Sequence, residues 1–89
     1  MTKEQIFETV KNVITEVLPQ VDKENISIEN QLKELGANSI DRMEIVTMSM
    51  QALDVKIPLM SFAGVNNIEG LVDVLVENHA KKEETEEMQ

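Results

Sequence analysis

Apolar residues recur at helical spacing in three stretches of this sequence, and this pattern constrains the fold more than any other feature. The stretches contain Ile6, Phe7, Val10, Val13, Ile14, Val17 and Leu18, then Met43, Val46, Met50 and Leu53 flanked by Ile45 and Ser49, and then Ile68, Leu71, Val72, Leu75 and Val76. Only two residues are aromatic, and six are methionine. Because strands favour aromatic side chains, this composition favours helices packed on helices. The sequence predicts an all-α domain.

Local signals place the ends of the first two helices. Thr2 and Gln5 have the spacing of a capping box before the first helix, and Pro19 closes that helix. The second helix is predicted to begin near Ser39. It is predicted to end before Pro58, because the residue preceding a proline is biased away from helix.

The remaining segments complete a predicted small four-helix bundle with three longer helices and one short one. Residues 59–63 are expected to form the short third helix, which ends at Gly64. Asn66 and Glu69 have capping-box spacing for the fourth. Residues 20–38 are expected to form a long loop with at most one helical turn. Its apolar anchors are Ile26, Ile28, Leu32 and Leu35.

Composition narrows the class of protein. The 89 residues carry a net charge of −9 and have no basic patch with interleaved aromatic residues, so nucleic-acid binding is not expected. Without cysteine there is no disulfide framework. With no apolar run of membrane-spanning length and no signal-like segment, we expect a cytoplasmic monomer that does not bind membranes. The domain is predicted to span residues 1–80, followed by a charged, disordered tail at 81–89.

No catalytic or metal-binding pattern is readable. The single histidine, His79, lies forty residues from Ser39, so no serine–histidine–acid pattern is evident and catalytic residues are not predicted. The acidic segment that begins at Asp22 fails as a calcium loop. Its sixth position is Ser27 rather than glycine, and its twelfth is Lys33 rather than glutamate.

Ser39 is the candidate for covalent chemistry. It follows a loop that ends on Gly36 and stands at the predicted start of a helix. Backbone N–H groups and the positive end of the helix dipole at such a position suit an attached phosphate. The alternative is an ordinary helix cap, and the hexapeptide from Gly36 to Asp41 does not decide between the two.

Methionine could provide either core packing or an adaptable partner surface. Met43 and Met50 fall on the predicted core face of the second helix, so core packing is the interpretation for both. Met48 lies off that face and is a candidate surface residue.

The pattern as a whole resembles an acyl carrier protein over residues 3 to about 78. The resemblance rests on Leu35-Gly36-Ala37 followed by Asn38-Ser39-Ile40-Asp41, set among helices that end at Ile57-Pro58 and resume after a short third helix. It implies that Ser39 carries 4′-phosphopantetheine, transferred from coenzyme A by a separate magnesium-dependent phosphopantetheinyl transferase. A chain without cysteine would then gain a thiol on a flexible arm for carrying acyl thioesters. The protein itself would not be an enzyme.

The resemblance also implies that partner enzymes bind the face of the second helix beside Ser39. Asp41 and Glu44 are the strongest candidates for that contact. The complete set of predicted partner-binding residues is Asn38, Ile40, Asp41, Arg42, Glu44, Thr47, Met48, Gln51 and Phe62. For any single charge in this set, a solvated helix face is an equal alternative.

Several residues differ from the pattern usual in acyl carrier proteins, and these differences indicate a subgroup of that family. Asn38 stands where aspartate is usual, Arg42 adds a positive charge, and the later turns carry Met50 and Gln51 in place of acids. These residues resemble free-standing polyketide-pathway carriers, in particular acetyl-donor carriers of β-branching cassettes. The implied partners are an acyltransferase, a ketosynthase-like decarboxylase and a hydroxymethylglutaryl (HMG)-synthase-like enzyme. The alternatives are a fatty-acid-type carrier and an unmodified acidic helical adaptor.

Overall fold

The structure, a computed structural model, describes residues 1–87, with side chains described for residues 1–82. Within this range the chain forms three α-helices and no strand. Helix α1 spans Lys3–Val17, α2 spans Ser39–Leu53 and α3 spans Ile68–Glu87. Three 3₁₀ turns lie between them, at Lys23–Asn25, Leu32–Leu35 and Leu59–Phe62. The all-α prediction is confirmed.

The prediction of a four-helix bundle is wrong, because the expected third helix is a single 3₁₀ turn. Its backbone N–H groups bond three residues back, from Ser61 to Pro58 and from Ala63 to Met60. Pro58 precedes this segment and Gly64 follows it, so it is too short to offset the cost of nucleating an α-helix.

Helix α1 begins and packs as its sequence pattern predicts. Thr2 Oγ1 accepts a hydrogen bond from Gln5 N at 3.1 Å, and Gln5 Oε1 accepts one from Thr2 N at 2.9 Å. This reciprocal capping box satisfies two N–H groups that the helix itself leaves unpaired. The buried face is formed by Ile6, Val10, Val13 and Ile14.

The long loop is anchored to the core as expected, with two 3₁₀ turns rather than one helical turn. Ile26 is buried, and Ile28, Leu32 and Leu35 are half-buried against the core. The loop also supports the start of α3: Ile68 N and Glu69 N donate to the carbonyl oxygens of Asn30 and Ile28, both at 2.8 Å. The loop therefore ties the start of α2 to the start of α3.

The first residues of α3 differ from the prediction by one position. Asn67 Oδ1 accepts a hydrogen bond from Gly70 N at 2.9 Å, whereas Asn66 was predicted to cap the helix with Glu69. The N–H of Glu69 is already bonded to the loop carbonyl of Ile28, so the tertiary contact moves the cap to Asn67.

The buried face of α2 is also rotated from the predicted one. Ile45, Ser49 and Leu53 are buried at i, i+4 spacing, whereas Met43 is 56% exposed. The prediction that Met43 packs in the core is therefore wrong. Met50 is half-buried against the core, as is Met48, which was predicted to lie at the surface. Helix α2 is apolar on several sides, so the packing of α1 and α3 selects its inner face.

Ser49 is a polar residue at the centre of this buried face. It is fully buried, and its Oγ has no hydrogen-bond partner within the part of the chain that the structure describes.

We expect Ser49→Ala to stabilise the protein by about 0.5–1.5 kcal/mol, since it removes a desolvated hydroxyl and adds a better helix former. Urea unfolding measures this change. Ser61→Ala, at an exposed serine, should change stability little. A lower stability for Ser49→Ala would contradict the account.

Helix α3 extends beyond the predicted domain end at residue 80. The chain is helical through Glu87, and residues 88–89 of the predicted 81–89 tail lie outside the described residues. Two ion pairs favour the extension: Lys81 with Glu77 at 3.3 Å and Lys82 with Asp54 at 2.9 Å. The hydrogen bond from Lys82 holds the pKa of the Asp54 carboxyl below its ordinary value of 3.8.

Within residues 1–87, no helix has both the length and the apolar character needed to cross a membrane.

Candidate functional site at the start of α2

Asn38 and Asp41 together cap helix α2. Asn38 Oδ1 accepts a hydrogen bond from Asp41 N at 2.7 Å, and Asp41 Oδ2 accepts one from Asn38 N at 3.2 Å. The capping role that was the alternative for Ser39 is thus filled by its neighbours. Ser39 follows as the first residue of the helix.

The Ser39 side chain is exposed and has a cationic neighbour. Arg42 Nη2 donates a hydrogen bond to Ser39 Oγ at 3.1 Å. The hydroxyl lies in the first turn, where unpaired N–H groups and the helix dipole give a positive local potential. An accessible oxygen nucleophile in such a setting is suited to carry an anionic group.

The loop that precedes Ser39 holds this serine at the surface. Gly36 adopts the left-handed conformation, with φ of 95°, which ends the 3₁₀ turn at a residue without a Cβ. Ala37 is buried, and its N–H donates to the carbonyl oxygen of Leu32 at 3.2 Å. The buried alanine anchors the loop, and the chain then reaches the surface at Asn38.

The predicted partner-binding residues divide into two groups by burial. The exposed ones are Asn38, Ile40, Arg42, Glu44, Thr47 and Gln51. Asp41, Met48 and Phe62 are half-buried: Asp41 is held in the cap, whereas Met48 and Phe62 pack against the core. Ile40, at 76% exposure, is the most accessible large apolar residue of α2.

Three further exposed apolar residues were not among the predicted partner-binding residues. Met43 lies one turn after Ile40, and Leu59 and Met60 begin the third 3₁₀ turn, with Met60 87% exposed. Ile40, Met43, Leu59 and Met60 are called the apolar surface below. The exposure of Leu59 and Met60 could have been predicted from their position directly after Pro58, in a segment too short to bury both side chains.

A groove of about 430 Å³ opens between α2, the loop, the third 3₁₀ turn with the residues that follow it, and the start of α3. Its apolar lining comes from Leu32, Met43, Val46, Leu59, Phe62, Ala63, Val65 and Leu71. Arg42 and Lys33 contribute the charged groups of its lining. Arg42 therefore links this groove to Ser39, because the same side chain lines the groove and contacts the hydroxyl.

The described residues include no cluster of three or more His, Asp or Glu side chains placed to hold a metal ion. The groups assembled at Ser39 are an exposed hydroxyl, a guanidinium and a helix N-terminus. These fit a covalently attached phosphodiester, whose charge they would complement.

Comparison with known proteins agrees with this geometry. Residues 8–75 match the family model described as a phosphopantetheine attachment site. The chain is 48% identical over 75 residues to the polyketide biosynthesis acyl-carrier-protein AcpK of Bacillus subtilis strain 168, which covers 84% of this chain and 92% of that protein. The chain belongs to the acyl carrier protein family. The prosthetic group of this carrier is therefore 4′-phosphopantetheine, bound covalently.

The carrier is also similar to a second acyl carrier protein and to a chain of a solved structure. It is 33% identical over 76 residues to an acyl carrier protein of Guillardia theta, with 84% of this chain and 93% of that protein covered. Among solved structures, it matches a chain in the crystal structure of the curacin biosynthetic pathway HMG synthase in complex with acetyl donor-ACP. The TM-score is 0.78 at 35% identity, with 84% of this chain and 96% of that chain covered. Membership of this family favours the carrier hypothesis over the unmodified adaptor.

Proposed function

We propose that this carrier is modified on Ser39 and donates acetyl to an HMG-synthase-like enzyme in polyketide biosynthesis. The main observation in favour of this attachment site is the Asn38–Asp41 capping box, because it leaves the Ser39 hydroxyl exposed and without a role in capping the helix. The likeness to an acetyl donor-ACP in complex with an HMG synthase supports the proposed partner.

Attachment requires only an accessible nucleophile from this chain. Ser39 Oγ attacks the phosphorus that bears the pantetheine arm of coenzyme A, the pyrophosphate P–O bond breaks, and adenosine 3′,5′-bisphosphate leaves. The hydroxyl proton passes to a base of the transferase. His79 lies one turn before Lys82, which contacts Asp54 at the opposite end of α2 from Ser39. The bound group supplies a thiol that carries acyl groups as thioesters at high local concentration for a docked enzyme.

The apolar surface is proposed to bind the HMG-synthase-like enzyme. Ile40 and Met43 are exposed about one turn or less from Ser39, and Met43 lines the same groove as Leu59 of the third 3₁₀ turn. Exposed large apolar side chains of this kind are typical of a binding site on a small domain. Glu44 and Arg42 are exposed on the same helix and supply charges that a partner can pair with. The predicted contacts of Thr47 and Gln51 remain part of this proposal.

The other predicted roles follow from the same proposal. The carrier has no catalytic role of its own and is a substrate for a phosphopantetheinyl transferase, an acyltransferase and a ketosynthase-like decarboxylase. The last of these would convert a malonyl thioester into the acetyl thioester with release of carbon dioxide. The expected compartment is the cytoplasm, consistent with the absence of cysteine.

Acetyl transfer tests the proposed role directly. The modified carrier is loaded with isotopically labelled acetyl and mixed with an HMG-synthase-like enzyme, and the label on each protein is followed by intact mass. Transfer to the enzyme is expected. If the loaded carrier instead supports only chain elongation by fatty-acid synthases, it is the fatty-acid-type alternative.

A further inference from the structure

Arg42 is placed to contact more than a serine hydroxyl. Its Nη2 lies 3.1 Å from Ser39 Oγ, the oxygen that becomes the ester oxygen of the attached group. After attachment the phosphorus is one bond from that oxygen, so its non-bridging oxygens lie within reach of the same guanidinium. Ser39 and Arg42 are three positions apart, which places them on one face of the first turn of α2.

The charge of Arg42 is available for this contact. Its side chain is exposed, and no carboxylate among the side chains described forms an ion pair with it. The nearest acid along the helix, Asp41, accepts a hydrogen bond from Asn38 N instead. A guanidinium has five N–H donors in a planar fork that matches phosphate oxygens, and one donor to Ser39 Oγ leaves the others unused.

We propose that Arg42 is a positioning residue that binds the phosphodiester on Ser39 and fixes the base of the arm. The inference rests on the proposed attachment at Ser39. Arg42 also lines the groove beside α2, so a phosphodiester held by its guanidinium starts the arm next to a residue of that groove. The positive end of the α2 dipole acts on the same anion and adds to the attraction.

This role differs from that of a charge that only meets a partner enzyme. A positioning contact within the carrier acts in the isolated modified protein, before any partner binds. A partner contact leaves the isolated protein unchanged and alters only transfer rates. Measurements on the carrier alone therefore separate the two roles.

The test compares unmodified and modified protein for the wild type, Arg42→Gln and Arg42→Lys, with Lys56→Gln as control. Lys56 is an exposed cation beyond the opposite end of α2, so its replacement changes net charge equally. Modification of each sample is verified by intact mass. The readouts are the melting temperature and the ³¹P chemical shift of the phosphodiester in low salt and in about 1 M NaCl, where exposed ion pairs are screened.

In the wild type and in Lys56→Gln, we expect attachment to raise the melting temperature by a few degrees at low salt. Arg42→Gln should lose most of that increase and show a shifted ³¹P resonance with a smaller salt response. Arg42→Lys, which keeps the charge without the planar fork, should fall between them and provides the comparison if the glutamine variant resists modification. Equal increases and equal ³¹P salt responses in the wild type and the Arg42 variants would overturn the inference. Absence of any adduct on the wild type would instead overturn attachment at Ser39.

Discussion

Ile40→Asp will slow acetyl transfer to an HMG-synthase-like enzyme by roughly 10- to 100-fold, because it places a charge within the interface proposed for the apolar surface. Ile40 is 76% exposed in the carrier, so the core loses little on substitution. Aspartate is favourable in the first turn of a helix, and α2 should therefore persist. The measurement is the single-turnover rate of acetyl transfer from the loaded carrier.

The control for Ile40→Asp introduces the same charge away from the apolar surface. Asn12→Asp adds one negative charge at an exposed position of α1 and should leave the transfer rate unchanged. Far-ultraviolet circular dichroism and intact mass verify that both variants are folded and modified. Equal rates for Ile40→Asp and the wild type would remove the start of α2 from the interface.

Leu75→Ala will lower the free energy of unfolding by about 2–5 kcal/mol and the melting temperature by about 10 °C or more. Leu75 is fully buried on α3, within the core that α3 shares with α1. A domain of this size has a total stability on the order of 5–10 kcal/mol, so the loss is a large fraction of it. Denaturant unfolding at several temperatures measures both quantities.

Leu59→Ala is the matched control, since it removes the same atoms from a side chain that is 49% exposed. We expect it to cost less than about 1 kcal/mol. If Leu59→Ala proved as damaging as Leu75→Ala, the third 3₁₀ turn would be a structural element rather than part of the apolar surface.

Features set by neighbouring residues could be predicted from the sequence. The capping box of Thr2 and Gln5 and the start of α2 at Ser39 depend on residues three apart, and both appear as expected. Asn38 and Asp41 have the same spacing. Their reciprocal hydrogen bonds, which relieve Ser39 of a capping role, could have been anticipated on that ground.

Features set by tertiary packing could not be predicted in the same way. Helix α2 carries apolar residues on several sides, so spacing alone did not place Ile45 inside and Met43 outside. The cap of α3 moved from Asn66 to Asn67 because carbonyl oxygens of the distant loop bind the first N–H groups of that helix. The exposure of Met60 likewise depends on a segment too short to form an α-helix.

Attachment of phosphopantetheine to the Ser39 side chain is tested most directly by the intact mass of the protein after incubation with coenzyme A and a phosphopantetheinyl transferase. The samples are the wild type, Ser39→Ala and Ser61→Ala, the last changing another exposed serine. We predict one phosphopantetheinyl group on the wild type and on Ser61→Ala, and none on Ser39→Ala. An unmodified wild type, or an adduct that persists in Ser39→Ala, would contradict the account.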